Sequence, residues 1–308
     1  MEKSTSKSIY CDYNSTSPLS NSVVQFLGNG DFIFANPSSV HQLGKNSKKV
    51  IREVTDYIHN LYNFSSNEHQ CIFHSGATEG INTIVLGLLF KKVVEKRETF
   101  TLFYSSLDHS CVLNLLTFVK RLGGSTQQLP VGQSGALKLD ESIELINNCD
   151  SDNKLLSFTW VNNEIGLVQP LELACEIKIK TNCQVFVDAV QSPGKIAEWR
   201  KLDKSLDAYI FSAHKFGALK GVGFSFVSNE LDVSPTLYGG GQQKGYRPGT
   251  ENITGIQSIK FAFEDLVELT SKKDYDENKR KCLNEIEKHL YSMIKNNRNM
   301  VSQQLSSR

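Results

Sequence analysis

Between residues 70 and 230, short apolar runs rich in β-branched and aromatic residues alternate with longer stretches whose apolar positions recur at helical spacing. The runs "CIFHS" (71–75), "TLFYSS" (101–106), "TQQLPV" (126–131), "LLSFTWV" (155–161), "QVFVDA" (184–189), "AYIFSA" (208–213) and "GVGFSFVS" (221–228) predict strands. Helices are predicted over 78–96, 109–122, 140–148 and 170–181. Pro170 stands at the first helical position of one, and Thr78 and Glu79 open another after Gly76. Strands that read as continuous apolar runs are buried on both faces. With the helical alternation, that pattern predicts an α/β fold built on a mostly parallel seven-stranded sheet flanked by helices.

The outer segments differ. Residues 14–66 hold a Ser/Asn-rich start, a turn-rich "GNGDFIFANPSS" and a helical stretch over 45–62. Residues 256–269 and 276–294 read as two charged helices with little strand signal, and the final "NNRNMVSQQLSSR" is polar and offers no strand or core. The expected division is a large domain over 1–254 and the helical beginning of a small C-terminal domain over 255–308.

Composition narrows the function classes. The 308 residues are 39% hydrophobic and 22% charged with a formal net charge of +1, so no global field points to nucleic acid or an anionic membrane. No apolar run approaches the 18 or so residues that span a bilayer. The start "MEKSTSKS" is polar and runs into "IYCDY" without the apolar core of a signal peptide. Seven scattered cysteines without a CxxC pair favour reduced thiols in a cytoplasmic compartment over disulfides or a metal site.

Candidate chemistry gathers at strand ends, where open parallel sheets bind ligands. Strand 71–75 runs into "SGATEG", 101–106 into "LDHS", 155–161 into "NNEIG", 184–189 into "DAVQ" and 208–213 into "HKFG". In "SGATEG", backbone N–H groups and Thr78 can cradle a phosphate at a positive helix end, although a plain helix cap has the same composition. Asp188 ends an apolar strand, where a carboxylate needs a cationic partner: a protonated pyridine nitrogen, or an internal salt bridge. Gln191 follows on the same loop. His109 opens a helix and also suits a cap, and Asn162 and Asn163 also suit a turn before Gly166. The glycine-rich "GGGQQKGYRPGT" (239–250) suits close approach to a ligand or another chain, or a flexible loop. Lys215 directly follows an apolar strand and sits beside Ser212 and His214; it is either a solvated surface charge, as most lysines are, or an amine made nucleophilic by burial or nearby positive charge, as in Schiff-base lysines.

These residues fall in motifs that resemble a known family. "IYCDYNSTSP" (9–18), "NPSSVHQLG" (36–44), "IFHSGATEGIN" (72–82), "DHSCVL" (108–113), "VNNEIGLVQP" (161–170), "VDAVQSPGK" (187–195), "SAHKFG" (212–217) and "GGGQQKGYRPGTEN" (239–252) are similar, in order, to the class V branch of fold-type I pyridoxal-phosphate enzymes. Within it the match is to the NifS/IscS-like cysteine desulfurases and selenocysteine lyases. The resemblance implies that Lys215 holds pyridoxal 5'-phosphate covalently, His109 stacks on its ring and Asp188 pairs with the ring nitrogen. It implies that Asn163 and Gln191 bond the phenolic oxygen, and that Ala77, Thr78, Ser212 and His214 bind the phosphate. Thr250 would reach the phosphate of a neighbouring subunit, which implies a homodimer. The implied reaction takes sulfur from an L-cysteine-like substrate to a cysteine on a mobile loop, giving alanine and a persulfide for a sulfur-acceptor protein, as in iron–sulfur cluster assembly.

That nucleophilic cysteine and a carboxylate-binding arginine lie downstream of "RPGT" in the family. Here the residues after Thr250 hold one cysteine, Cys282, inside the helical pattern "KRKCLNEIEKHL"; Cys282 and Cys111 both read as structural. "NSTS" and "ATEG" depart mildly from the family's "NATT" and "ATES". The expectation is a desulfurase-like protein with a small domain cut short and little activity by itself. The alternatives are another class V aminotransferase or lyase, and a catalytically silent cofactor-binding homologue that dimerises or binds a partner.

Overall fold

A computed structural model describes residues 10–306. The strands are β1 (His69–His74), β2 (Phe100–Tyr104), β3 (Ser125–Gln128), β4 (Asn153–Thr159), β5 (Gln184–Asp188), β6 (Ala208–Ser212) and β7 (Gly223–Ser228). They form one seven-stranded sheet in the order β1-β7-β6-β5-β4-β2-β3. The pairs among β6, β5, β4, β2 and β3 are parallel, and β7 runs antiparallel to both neighbours. Consequently β1, β2, β4, β5 and β6 all point their carboxyl ends at one edge. Every residue of β6 is buried, as its unbroken apolar run requires.

The helices are α1 (Asn21–Asn29), α2 (Gln42–Tyr62), α3 (Ala77–Leu89), α4 (Ser110–Leu113), α5 (Leu115–Arg121), α6 (Leu139–Asn147), α7 (Leu171–Thr181), α8 (Ile253–Thr270) and α9 (Tyr275–Ser306). One sheet face packs an aliphatic cluster in which Ile81, Ile84, Val85 and Leu88 of α3 meet Leu102, Leu155 and Ile210. The other face is aromatic. There Tyr62 of α2 contacts Trp199, Phe211, Phe226 and Phe263, with Phe263 also stacked on Phe216.

Several elements depart from the sequence pattern. The single helix expected over 109–122 is broken at Asn114, whose N–H is shared between the Ser110 and Val112 carbonyls. The helix expected over 78–96 ends at Leu89 and continues as a π-helical turn, Phe90–Glu95. Helix α1, unsigned in the Ser/Asn-rich start, buries only Val23. Helix α9 runs on through the polar residues to Ser306.

The chain divides between Glu264 and Asp265 rather than at 254/255. The reason is that Ile253, Ile256, Ile259, Ala262 and Phe263 of α8 are buried in the first unit. In the second unit, Leu283, Ile286 and Leu290 lie exposed along α9. Among the described residues no helix is long and apolar enough to cross a membrane, and no group of His, Cys, Asp and Glu has a metal-binding arrangement.

Candidate active site

The five co-directional strand ends open into one cleft of about 660 Å³. Each strand delivers its polar residue for a local reason: the apolar run ends where the sheet ends, and the next residue turns out of the ladder. The cleft is lined by Ala77, Thr78, His109, Asn163, Asp188, Gln191, Ser212, His214 and Lys215. Of the residues that the resemblance assigns to the cofactor, Thr250 lies outside that lining, exposed on the 239–250 loop.

At one end stands the start of α3. Gly76 caps it, and no side chain caps the helix, which leaves first-turn N–H groups available to an anion. The strand beneath comes very close: a Cβ on Gly223 would stand 3.1 Å from the Gly76 Cα and 2.6 Å from the Phe211 carbonyl. Glycine is required there by proximity. His74 lies under the same turn, its Nε2 2.8 Å from Ser225 Oγ, and burial pushes its imidazole down to about 4, so it is neutral. His214 Nδ1 lies 2.9 Å from Thr16 Oγ1. Burial and then Lys215, Lys220 and Lys195 lower its pKa, which marks this end as electropositive.

Asp188 forms the floor. It is 8% exposed and pairs in register with Thr159 and Ile210. Its Oδ1 accepts the Val190 N–H at 3.0 Å. Burial raises its pKa, opposed by that hydrogen bond and by His109 and Lys215. The carboxyl is thus poised to ionise when a cation is held against it. His109 caps α4: its Nδ1 accepts the Cys111 N–H at 3.2 Å. Asp108 behind it accepts from Thr159 Oγ1 (2.8 Å) and the Ser105 N–H (3.1 Å), and burial pushes its carboxyl up to about 7. Cys111 borders the cleft with its thiol pushed up to about 12, chiefly by burial and then by Asp188. Asn162 is the turn former: its Oδ1 accepts the N–H groups of Glu164 and Ile165, both at 2.9 Å.

Lys215 is half-buried, and burial lowers its pKa against the opposing pull of Asp188 and Asp12. Its Nζ donates to the Asn14 carbonyl at 2.7 Å and the Ser15 carbonyl at 2.8 Å. The same Asn14 carbonyl accepts from Gln191 Nε2 at 3.0 Å. No residue pattern signals these strap contacts, because backbone carbonyls carry no residue signature. The residue pattern also leaves Arg247 unassigned. The Arg247 Nε donates to Glu79 Oε1 at 2.8 Å, tying the glycine-rich loop to the first turn of α3. That loop also pairs through Gln243, whose side-chain amide exchanges hydrogen bonds with the Phe73 N–H (2.6 Å) and carbonyl (2.9 Å). Cys282 is exposed on α9, in the second unit.

Comparison with known proteins gives one consistent result. The aminotransferase class-V family profile matches residues 9–307. The chain is 30% identical over 302 residues to cysteine desulfurase IscS of Dictyoglomus turgidum, covering 94% of this chain and 72% of that protein. It is 31% identical over 264 residues to cysteine desulfurase IscS of Methanosarcina thermophila, covering 84% of this chain and 62% of that one, less than two thirds of its length. Among solved structures, a NifS-like protein superposes with a TM-score of 0.76 at 32% identity, covering 85% of this chain and 70% of the other. A NifS-like protein from Rickettsia africae gives 0.77 at 27% identity, covering 90% and 75%. SspA, solved in complex with cysteine, gives 0.73 at 27%, covering 83% and 72%.

Proposed function

Because the chain belongs to the class-V aminotransferase family, whose members use pyridoxal phosphate, we propose that it is a pyridoxal-phosphate protein of the cysteine desulfurase kind. The substrate is an L-cysteine-like amino acid. The observation that carries this reading is one cleft in which a half-buried amine, a buried carboxyl and an uncapped helix start face a common space.

The residues present fit the cofactor. The electropositive start of α3, with Ala77, Thr78, Ser212 and His214, suits its phosphate. Asp188, whose hydrogen bonding draws on a backbone N–H, suits a ring N–H⁺ and would hold that proton in place. His109 offers a ring to stack, and Asn163 and Gln191 offer polar groups to the phenolic oxygen. When bound, the cofactor supplies an electron sink for charge developing at the substrate Cα. Lys215 Nζ would hold the group and would move the proton at the substrate Cα. Thr250, on the glycine-rich loop, would reach a partner subunit's phosphate, which makes a homodimer the working form of this reading. Its setting is the cytoplasm, with a sulfur-acceptor protein downstream.

Burial pushes the Cys111 thiol up to about 12, which disfavours its thiolate and argues against it as the sulfur-accepting group. Purified protein should carry a visible absorbance band that disappears in Lys215→Ala; protein that stays colourless after incubation with pyridoxal phosphate would overturn the reading. Release of alanine and sulfide from cysteine then separates a desulfurase from a silent homologue. A transamination product would favour another class V reaction.

A further inference from the structure

Residues 12–20 form a largely exposed strap that lines the cleft through Ser15 and Thr16, and Asn14 is tied to several residues around it. Beyond the two contacts of its carbonyl, the Asn14 Nδ2 donates to the Asn163 carbonyl at 3.3 Å, and its Oδ1 accepts from Lys195 Nζ at 3.2 Å. Lys195 also contacts Gln191 Oε1. Farther along, the Ser17 N–H donates to the His214 carbonyl and the Ser20 N–H to the Gly217 carbonyl, both at 2.9 Å. We propose that Asn14 is a positioning residue for the Lys215 amine: its side chain pins the strap through Asn163 and Lys195, so that the carbonyls of residues 14 and 15 hold Nζ at the cleft mouth.

The consequence follows from counting donors. An ammonium has three N–H groups, and two of them are engaged by these carbonyls. A nitrogen joined to a carbonyl carbon through a double bond keeps one N–H at most. Condensation with an aldehyde carries two of the N–H protons away with the carbonyl oxygen as water, and the neutral product releases the third to solvent, so at least one strap carbonyl loses its donor. The strap therefore holds the free amine in its charged form and has to yield when the amine reacts. Asp188 at the end of β5 and Asp12 on the strap favour the same charged form. His214, Lys195 and Lys220 face the region from the other side, and His109 from the start of α4. The part of the inference that concerns an aldehyde cofactor rests on the proposed function; the hold on the amine does not.

The test uses cofactor-free full-length protein, with Lys215 methylated by formaldehyde and a mild hydride reductant and the rate read by peptide mass spectrometry. Lys49, 74% exposed on α2, serves as internal reference. Asn14→Ala should raise the Lys215 rate at pH 8 about tenfold, the worth of one hydrogen bond to a charged group. The two proteins should converge at pH 11, where the amine is neutral in both. An unchanged rate, or the same acceleration at every pH, overturns the proposal, the latter because general loosening of the strap exposes neutral and charged amine alike. Asn14→Ser decides the matter in the same way if the alanine variant does not fold. Colourless protein would sink the cofactor reading and leave this result standing.

Discussion

Arg247 and Glu79 join two segments 168 residues apart, Nε to Oε1 at 2.8 Å, while Glu79 Oε2 accepts the Ser75 N–H at 2.7 Å. Burial alone would raise the Glu79 carboxyl, but Arg247 and the Ser75 bonds outweigh it and bring it to about 2. The folded pKa lies below the unfolded value of 4.5, so this pair stabilises the protein above pH 4.5 and the contribution fades as pH falls toward 2. With both side chains partly solvated, it is worth about 1–2 kcal/mol. Arg247→Met should lower urea stability by that amount at pH 7, and the gap to wild type should narrow steadily below pH 4.5. A gap that is the same at pH 7 and pH 4 would refute the ion-pair account.

Asp188 behaves in the opposite sense. Its folded pKa is raised by burial, so ionisation destabilises the cofactor-free protein as pH rises above the unfolded value. Asn keeps an oxygen for the Val190 N–H and removes the charge. Asp188→Asn should therefore be as stable as wild type or more so at pH 8, by roughly 1 kcal/mol. Its affinity for pyridoxal phosphate should fall about 100-fold, the worth of a buried ion pair at the ring nitrogen. Absorbance titration and urea melts read the two effects separately, and a variant that loses stability but binds normally would remove Asp188 from the site.

What the sequence revealed and what it hid divides along physical lines. The strand ends are legible because burial on both faces makes the middles of β5 and β6 unbroken apolar runs, so the next polar residue marks the sheet edge. Position at that edge groups His109, Asn163, Asp188 and Lys215 from the residue pattern, and all four line the cleft. The antiparallel direction of β7 was not legible, since one short apolar strand reads alike in either direction. The break at Asn114 was hidden because the apolar spacing is unchanged across it. The boundary inside α8 was hidden because a helix that begins in one unit and ends in another has a continuous pattern. Arg247 was hidden because its partner Glu79 lies in a distant motif, and the ion pair exists only once the loop folds back.

His74 gives a stability effect with a definite pH window. Its folded pKa of about 4 lies below the model-peptide value of 6.5 because it is buried beneath the α3 turn. The unfolded chain takes up the proton first, so stability is full above pH 6.5 and is lost as pH falls toward 4, by up to about 3 kcal/mol. Glutamine reaches Ser225 without titrating. His74→Gln should flatten the loss of urea stability between pH 6.5 and 4; a variant with an unchanged acid slope would assign that slope to other groups.

The thiols should separate sharply in reactivity. Cys11 and Cys282 are exposed, whereas burial raises Cys71 and Cys183 and holds Cys111 at about 12. The thiolate is the reacting form, so Cys111 at pH 8 should alkylate about a thousandfold or more slowly than an exposed thiol, although it borders the cleft. Iodoacetamide labelling followed by peptide mapping measures this, and Cys111→Ser should leave sulfide release from cysteine unchanged. Rapid labelling at Cys111, together with loss of sulfide release in that variant, would make it the sulfur acceptor. The family's loop cysteine would then be unnecessary to the reaction.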